Sequence, residues 1–107
     1  MKLTIILTSN SPETNWNALR LANFSLKKGD EVSVFLLGEG VEYEQKSSDR
    51  FNIKQQLDTF MQSEKYHILA CESCMKLRHQ PGTETCPIGG MAELYNLIST
   101  CDKVVTF

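Results

Sequence analysis

Short apolar runs alternate along the chain with segments whose apolar residues recur at helical spacing. The runs KLTIILTS (2–9), DEVSVFLLG (30–38) and YHILAC (66–71) are predicted to be buried strands because they are apolar and contain few turn-forming residues. A closing strand is predicted over DKVVTF (102–107), and ETC (84–86) is a candidate for a very short additional strand. The pattern thus indicates four or five strands.

Helix signals fill the intervals between these strands. Ser11 and Pro12 suit the start of a helix, and Gly29 suits its end. A short helix is predicted over 72–79, before a Pro-Gly turn. The stripe that marks a second main helix consists of Ile53, Leu57, Phe60 and Met61. The last helix is marked by Met91, Leu94, Tyr95 and Ile98.

Strands that alternate with helices pair in parallel through right-handed crossovers. We therefore predict one α/β domain over residues 1–107, a flavodoxin-like three-layer sandwich with helices on both faces. Its sheet is expected to be mostly parallel, with four to five strands in the order 2-1-3-4-5 when ETC is counted as the fourth. In that order the ligand crevice would lie between strands one and three, beyond their carboxyl ends.

Composition narrows the classes of function. A formal net charge of -2 offers no electrostatic reason to expect nucleic acid as a partner. The apolar run near the N-terminus is too short for a signal-peptide core or a membrane span, so we expect a cytoplasmic protein without membrane association. In that reducing compartment, clustered cysteines are more often catalytic, redox-active or metal-binding than structural.

Three of the four cysteines lie in ACESCMKLRHQPGTETCP (70–87). Cys71 is expected between a strand end and a helix start, where backbone N–H groups lower the pKa of a thiol. Cys74 would then be within reach of Cys71 for a disulfide or for transfer of a sulfur atom. Cys86 is expected at the same edge of the sheet, and Cys101 at the opposite edge. The sequence therefore predicts a reactive thiol pair, with Cys86 as a candidate third member.

Two other readings of the cysteines stay open. Cys71, Cys74 and Cys86, with His79 as a fourth ligand, would suit a zinc or cluster site, although the favoured reading has no metal. Alternatively, the chain is a subunit that serves assembly alone, and its cysteines neither react nor bind metal.

Candidate substrate-binding residues flank the thiols. Ser9 and Asn10, in the loop after the first strand, would face Cys71 across the predicted crevice. Arg78 could hold a thiolate, a persulfide or an anionic substrate. The loop after the first strand has no glycine and thus lacks the P-loop and dinucleotide fingerprints, so no cofactor is expected.

Four segments resemble the small DsrE/DsrF-like proteins associated with sulfur relay, and the resemblance extends over nearly the whole chain. These segments are FLLGEGVE, ILACESCMKLR, CPIGGMAEL and DKVVTF. The resemblance implies a flavodoxin-like fold, assembly into homotrimers or hexamers, and a persulfide-carrying cysteine that corresponds to Cys71. It also implies that Arg78 corresponds to the arginine found after that cysteine. Glu72, Ser73 and Cys74 depart from the small apolar residues that begin this helix in the relay subunits.

The leading hypothesis is a sulfur-handling protein, either a sulfurtransferase or a carrier. Cys71 would hold sulfane sulfur as a persulfide, and Cys74 or Cys86 would be the resolving thiol. The expected partners are sulfur-donor and sulfur-acceptor proteins or low-molecular-weight persulfides, together with further copies of the same chain.

Overall fold

Strands and helices alternate along the protein in the manner that the sequence predicts. The computed structural model describes residues 1–83 and 86–107. Glu84 and Thr85, two residues of the candidate strand ETC, lie outside the described residues. The bounds are β1 Lys2–Leu7, α1 Pro12–Lys27, β2 Glu31–Leu36, a 3-10 turn Gly38–Glu42 (the 38–42 turn), α2 Ile53–Met61, β3 Tyr66–Cys71, α3 Glu72–Leu77, β4 Ile88–Gly89, α4 Met91–Thr100 and β5 Lys103–Thr106.

The strands of the described chain form one parallel sheet in the order β4-β3-β2-β1-β5. The predicted α/β sandwich is confirmed, but the predicted order 2-1-3-4-5 is wrong. The reason lies in β2, which that order places at an edge. Val32, Val34, Phe35 and Leu36 are each at most 1% exposed. Burial over this length is typical of a strand inside the sheet, and β1 and β3 accordingly flank β2.

The crossovers decide which helices share a face. From β1 to β4 each connection adds the next strand on the same side, so right-handed crossovers place α1 and α2 on one face. The chain then returns past β1 to form β5, which places α4 on the other face. Strand order therefore reverses between β1 and β5, not between β1 and β3 as predicted. Because β2 separates β1 from β3, the loop after β1 does not adjoin the end of β3.

The two faces of the sheet are covered to different extents. On the face of α1 and α2 the fully buried side chains include Ile5, Leu7, Leu19, Val34, Ile53 and Phe60. On the other face, Leu94 of α4 is buried, whereas Met91, Tyr95 and Ile98 are 59%, 73% and 43% exposed. Met91 therefore lies outside the core, because α4 turns only one side of its apolar stripe towards the sheet.

The sequence signals at the ends of α1 are found in the structure with one difference. Pro12 occupies the first helical position, and Gly29, just beyond the helix, has a φ of +92° that suits glycine. Ser11 occupies the N-cap position, but its side chain makes no capping bond. At 16 residues α1 is the longest described helix, and no helix within 1–83 and 86–107 is long and apolar enough to cross a membrane.

Candidate functional site

Cys71 lies at the junction between β3 and α3. It is the last residue of the strand and the N-cap residue of the helix, with an extended backbone (φ -58°, ψ 121°). Cys71 is in register with Gly89 of β4, the edge strand next to β3. The residue is 2% exposed. The structure thus places Cys71 at the carboxyl end of the sheet, where the sequence analysis predicts it.

The surroundings of Cys71 lower the pKa of its thiol. Burial by itself raises this pKa, but the hydrogen-bonding groups of Ser73 and Cys74 act in the opposite direction and prevail. These groups are the two side chains and the backbone N–H groups of the same residues, and the Ser73 Oγ lies 3.4 Å from the Cys71 Sγ. Donors that favour a charged sulfur increase the thiolate fraction at neutral pH. Cys71 is therefore suited to act as a nucleophile.

Cys71 opens into a small cavity at the rim of the sheet. The cavity has a volume of about 290 Å³ and is lined by Cys71, Glu72, Ser73, Lys76, Gly90 and Met91. Lys76 pairs with Glu72 at 3.0 Å along one side of α3. Both side chains are more than half exposed, so this pair contributes little to stability. Its effect on the site is that the Glu72 charge is offset by a cation at the cavity wall.

Cys74 lies beside Cys71 on the first turns of α3, as expected for residues three apart in a helix. Its side chain is one of the groups that lower the pKa of Cys71, so the structure brings the two thiols of the predicted pair together. The Cys74 Sγ also accepts a hydrogen bond from the backbone N–H of Gly38, at 3.2 Å. The second sulfur of the pair is therefore held by a donor in the 38–42 turn, which follows β2.

Arg78 faces the 38–42 turn and does not line the Cys71 cavity. Its Nε donates to a carboxylate oxygen of Glu42 at 2.9 Å, and its Nη1 donates to the backbone carbonyl of Cys74 at 3.1 Å. Two of its nitrogen atoms therefore bind the protein itself. The bond to Glu42 joins the end of α3 to the 38–42 turn, and the bond to Cys74 holds the arginine side chain against the helix.

Cys86 lies in a different cavity from Cys71. It lines a space of about 400 Å³ together with Tyr43, Glu44, Ala70 and Met75 among others. Because side chains alternate along a strand, Ala70 points to this cavity while the next residue, Cys71, points to the other. Burial, and then the charge of Glu44, raises the pKa of Cys86 to about 11. Its thiol is thus protonated at neutral pH and is not placed beside the Cys71 pair.

The remaining predicted residues are also separate from the Cys71 cavity. Cys101 precedes β5 and lines a cleft with residues at the starts of β1 and β2, at the opposite edge of the sheet. Ser9 and Asn10 are not among the residues that line the Cys71 cavity. The Ser9 Oγ instead accepts a hydrogen bond from the backbone N–H of Ser11 at 2.9 Å, and so shapes the start of α1.

The hypothesis of a metal site that uses Cys71, Cys74 and Cys86 finds no matching geometry. Among residues 1–83 and 86–107 no three His, Cys, Asp or Glu side chains are grouped in a way that could hold a metal ion. His79, the fourth ligand of that hypothesis, is exposed, and its backbone is in the left-handed region with a φ of 52°. Cys71 and Cys74 alone form the thiol cluster that the structure supports within its described part.

The site contains residues that the sequence analysis did not single out. Lys76 could have been found from its spacing, because Glu72 and Lys76 are four residues apart in a predicted helix and form an ion pair there. Gly38 and Gly90 gave no such signal. Their roles depend on which strands are neighbours, since Gly38 follows β2 and Gly90 follows β4 on either side of β3.

The difference between the two thiol environments predicts different alkylation rates. At pH 7 we expect iodoacetamide to modify Cys86 about 10- to 100-fold more slowly than Cys71, because a thiol with a pKa of about 11 is almost wholly protonated. The rates would be measured by peptide mass spectrometry between pH 6 and pH 9, and the Cys71 rate should reach its plateau at lower pH.

The same labelling in urea serves as the control, since unfolding removes both environments. All cysteines should then react at similar rates. Equal rates for Cys71 and Cys86 in the folded protein would contradict the assignment of an activated and a suppressed thiol.

Comparisons with known proteins give a consistent family assignment. A family model described as the DsrE/DsrF-like family matches residues 1–107. An uncharacterized protein of Methanocaldococcus jannaschii is 29% identical over 114 residues, and the match covers all of both chains. The crystal structure of the YchN protein from E. coli superposes with a TM-score of 0.82 at 25% identity, again over the whole of both chains. The chain therefore belongs to the DsrE/DsrF-like family, which is associated with sulfur relay.

Proposed function

We propose that this protein carries sulfane sulfur as a persulfide on Cys71 and passes it to an acceptor thiol. The observation that carries the proposal is a thiol of lowered pKa at a strand-to-helix junction, open to a cavity. The thiolate is the form of cysteine that attacks sulfur, so a lowered pKa provides the nucleophile at neutral pH. The family's association with sulfur relay supports the same chemistry.

Loading is a thiol exchange in which no net oxidation occurs. The Cys71 thiolate attacks the outer sulfur of a donor persulfide, R–S–SH. The bond between the two donor sulfurs breaks, Cys71–S–SH forms, and the donor leaves as the thiolate RS⁻. Delivery is the same step in reverse with a different partner: an acceptor thiolate takes the outer sulfur, and Cys71 is released as a thiolate.

The walls of the Cys71 cavity suit a group with a negative charge. A persulfide is more acidic than its parent thiol, so it is expected to be anionic at neutral pH. The Ser73 side chain and backbone N–H lie at the sulfur, and Lys76 offsets the charge of Glu72, which lines the same cavity. Hydrogen-bond donors stabilise such an anion, and the paired Glu72 repels it less than a free carboxylate would. We assign to Ser73 the role of holding the loaded sulfur and to Lys76 the role of neutralising Glu72.

Cys74 provides a second route by which the Cys71 persulfide can react. If the Cys74 thiolate attacks the inner sulfur of Cys71–S–SH, a Cys71–Cys74 disulfide forms and hydrosulfide leaves. The sulfane sulfur is reduced by two electrons, and the two cysteines are oxidised by the same two electrons. If Cys74 attacks the outer sulfur instead, the persulfide moves to Cys74. Both outcomes need the proximity of the two thiols that the pKa of Cys71 reflects.

The partners follow from this chemistry. The donor and the acceptor are sulfur-carrying proteins or low-molecular-weight persulfides and thiols, because loading requires an electrophilic sulfane sulfur on the donor and delivery requires a thiolate on the acceptor. We propose the cytoplasm as the location, since free thiols persist in a reducing compartment.

Intact-mass measurement after incubation with polysulfide tests the proposed function. The protein is denatured without reductant, its mass is measured, and the added sulfur is located by peptide mapping. We expect a gain of one or more sulfur atoms on Cys71, or a Cys71–Cys74 disulfide that forms as sulfur leaves. Unmodified Cys71 under conditions that load a free cysteine control would refute the proposal.

The exposed side of α4 supports a second copy of the chain as a further partner. Met91, Tyr95 and Ile98 recur at i, i+4 and i+7, so they lie on one side of the helix, and all three are exposed. Met91 also lines the Cys71 cavity. We propose that these three residues, the α4 surface, form contacts in a homotrimer or hexamer, in which a neighbouring copy adjoins the cavity.

Sedimentation of the protein and of a Tyr95→Asp/Ile98→Asp variant tests this assembly. The unchanged protein should sediment with the mass of a trimer or hexamer, and the variant should dissociate because two carboxylates would be buried without partners. Phe24→Asp is the matched control, since Phe24 is 59% exposed on the opposite side of the sheet. A monomeric unchanged protein at tens of micromolar would contradict the proposal.

A further inference from the structure

Two hydrogen bonds join the 38–42 turn to α3, and a third lies within the end of the helix. The backbone N–H of Gly38 donates to the Cys74 Sγ at 3.2 Å. Arg78 donates to Glu42 at 2.9 Å and to the backbone carbonyl of Cys74 at 3.1 Å. Arg78 and Glu42 are each only about one-quarter exposed, so their pairing is less screened than that of the surface pair Glu72 and Lys76. Cys74 is thus fixed through its sulfur and through its backbone.

The position of α3 depends on such contacts. A helix of six residues is not stable on its own, because nucleation costs more than so few hydrogen bonds return. The 38–42 turn, in contrast, is anchored in the sheet: the N–H of Leu37 bonds to the carbonyl of Leu7 at 3.0 Å, and Gly40 packs against the same carbonyl. The turn is therefore the fixed side of the junction, and α3 is the side that is held.

The bond from Gly38 acts differently on the two redox forms of the thiol pair. A backbone N–H can only donate, and in the reduced pair its acceptor is the Cys74 Sγ. A disulfide has an S–S bond of about 2.0 Å, so its formation requires the Cys74 Sγ to move towards Cys71, away from the position in which it accepts this bond. The contact therefore stabilises the reduced pair relative to a Cys71–Cys74 disulfide.

We propose that Arg78 is a positioning residue: through its ion pair with Glu42 it keeps the Cys74 sulfur at the Gly38 N–H and so shifts the Cys71–Cys74 equilibrium towards the dithiol. The inference deepens the proposed function and rests on it for its biological meaning. Arg78 acts on sulfur chemistry through Cys74, not by contact with a substrate. Holding the pair reduced keeps Cys71 available for loading.

Redox titration of the thiol pair tests this role. The protein carrying Cys86→Ser and Cys101→Ser is equilibrated in dithiothreitol buffers, and the fraction of Cys71–Cys74 disulfide is read by trapping and mass spectrometry. Arg78→Gln and Glu42→Gln are each expected to raise the equilibrium constant for disulfide formation about fivefold, the effect of weakening one hydrogen bond. Arg78→Lys should give a smaller increase, because one ammonium cannot reproduce both bonds of the guanidinium.

The double variant separates a positioning effect from general loosening. If Arg78 and Glu42 act as one pair, Arg78→Gln/Glu42→Gln should shift the equilibrium no further than either single change. Arg20→Lys is the matched control, because Arg20 lies on α1 and its Nη1 bonds only locally, to the Asn17 side chain. Thermal unfolding of each variant verifies that the titrated protein is folded.

Two outcomes distinguish this inference from the proposed function. An unchanged disulfide equilibrium in both Arg78→Gln and Glu42→Gln would overturn the positioning role, even if Cys71 is loaded by polysulfide. A shifted equilibrium in a protein whose Cys71 takes up no sulfur would support the positioning role and refute the relay function.

Discussion

Replacing Cys71 by serine is expected to remove sulfur loading at the β3–α3 junction. A serine hydroxyl is protonated at neutral pH and cannot form a persulfide, so the nucleophile and the carrier atom are lost together. We expect at least a 100-fold loss, roughly to background, in the mass gain measured after polysulfide treatment. Serine is close to cysteine in size, so the substitution should leave the fold intact.

Two further cysteine variants make the result specific. Cys86→Ser should load as the unchanged protein does, because Cys86 lies in another cavity with its pKa raised. Cys101→Ser should also load normally, since Cys101 lies at the opposite edge of the sheet. Sulfur uptake that persists in Cys71→Ser and disappears in Cys86→Ser would show that the reactive thiol is Cys86, and this would contradict the proposed function.

The largest loss of stability is expected from Gly40→Ala. A Cβ atom at position 40 would overlap the backbone carbonyl oxygen of Leu7 and lie 2.6 Å from its carbonyl carbon. Neither atom can move alone, because Leu7 ends β1, an inner strand of the sheet, and its carbonyl binds the N–H of Leu37. The turn would have to shift, at a cost of about 2–4 kcal/mol in the free energy of unfolding.

Urea unfolding followed by circular dichroism measures this loss as a lower midpoint. For a chain of 107 residues, with a total stability of roughly 5–15 kcal/mol, a change of this size is large. Gly90→Ala is the matched control, because a Cβ there meets only the flexible Glu93 carboxylate at 3.5 Å. We expect it to cost less than about 1 kcal/mol, as for an unfavourable N-cap residue. Equal midpoints for the two variants would show that position 40 has room for a methyl group.

The elements of this fold follow from local sequence patterns. The helical stripe through Ile53, Leu57 and Phe60 predicts α2, and these three residues are buried in it. Pro12 and Gly29 mark the limits of α1 because their preferred backbone angles are those required at a helix start and end. Each of these signals acts within one element, so a single chain is enough to detect it.

The order of the strands could not be obtained from the same signals. Strand order depends on which strand edges meet, and a right-handed crossover permits the next strand to be added at either side. The continuous apolar run of β2 was the available clue, since a strand buried on both faces belongs inside a sheet. The flavodoxin-like order places β2 at an edge, contrary to this clue, and therefore places the crevice between β1 and β3 instead of between β1 and β5.

The part of the candidate site that lies at the β3–α3 junction could be predicted from the sequence. Cys71 and Cys74 share a strand end and a helix start, so their proximity follows from sequence spacing. The positions of Cys86 and Arg78 depend on distant contacts: Arg78 binds the turn after β2, and Cys86 follows a long connection. Spacing alone could not show that one thiol would face away from the pair or that the arginine would pair with Glu42.

Because Ala70 and Cys71 point to opposite faces of β3, this strand separates the cavity of Cys86 from the cavity of Cys71. The cavity on one side contains a thiol that is readily deprotonated, and the cavity on the other contains a thiol that stays protonated. An oxidant or a persulfide donor therefore meets one reactive sulfur centre at this end of the sheet instead of a mixed pool of thiols. Because successive side chains point to opposite faces of a strand, one strand is enough to separate the two thiols of this small protein.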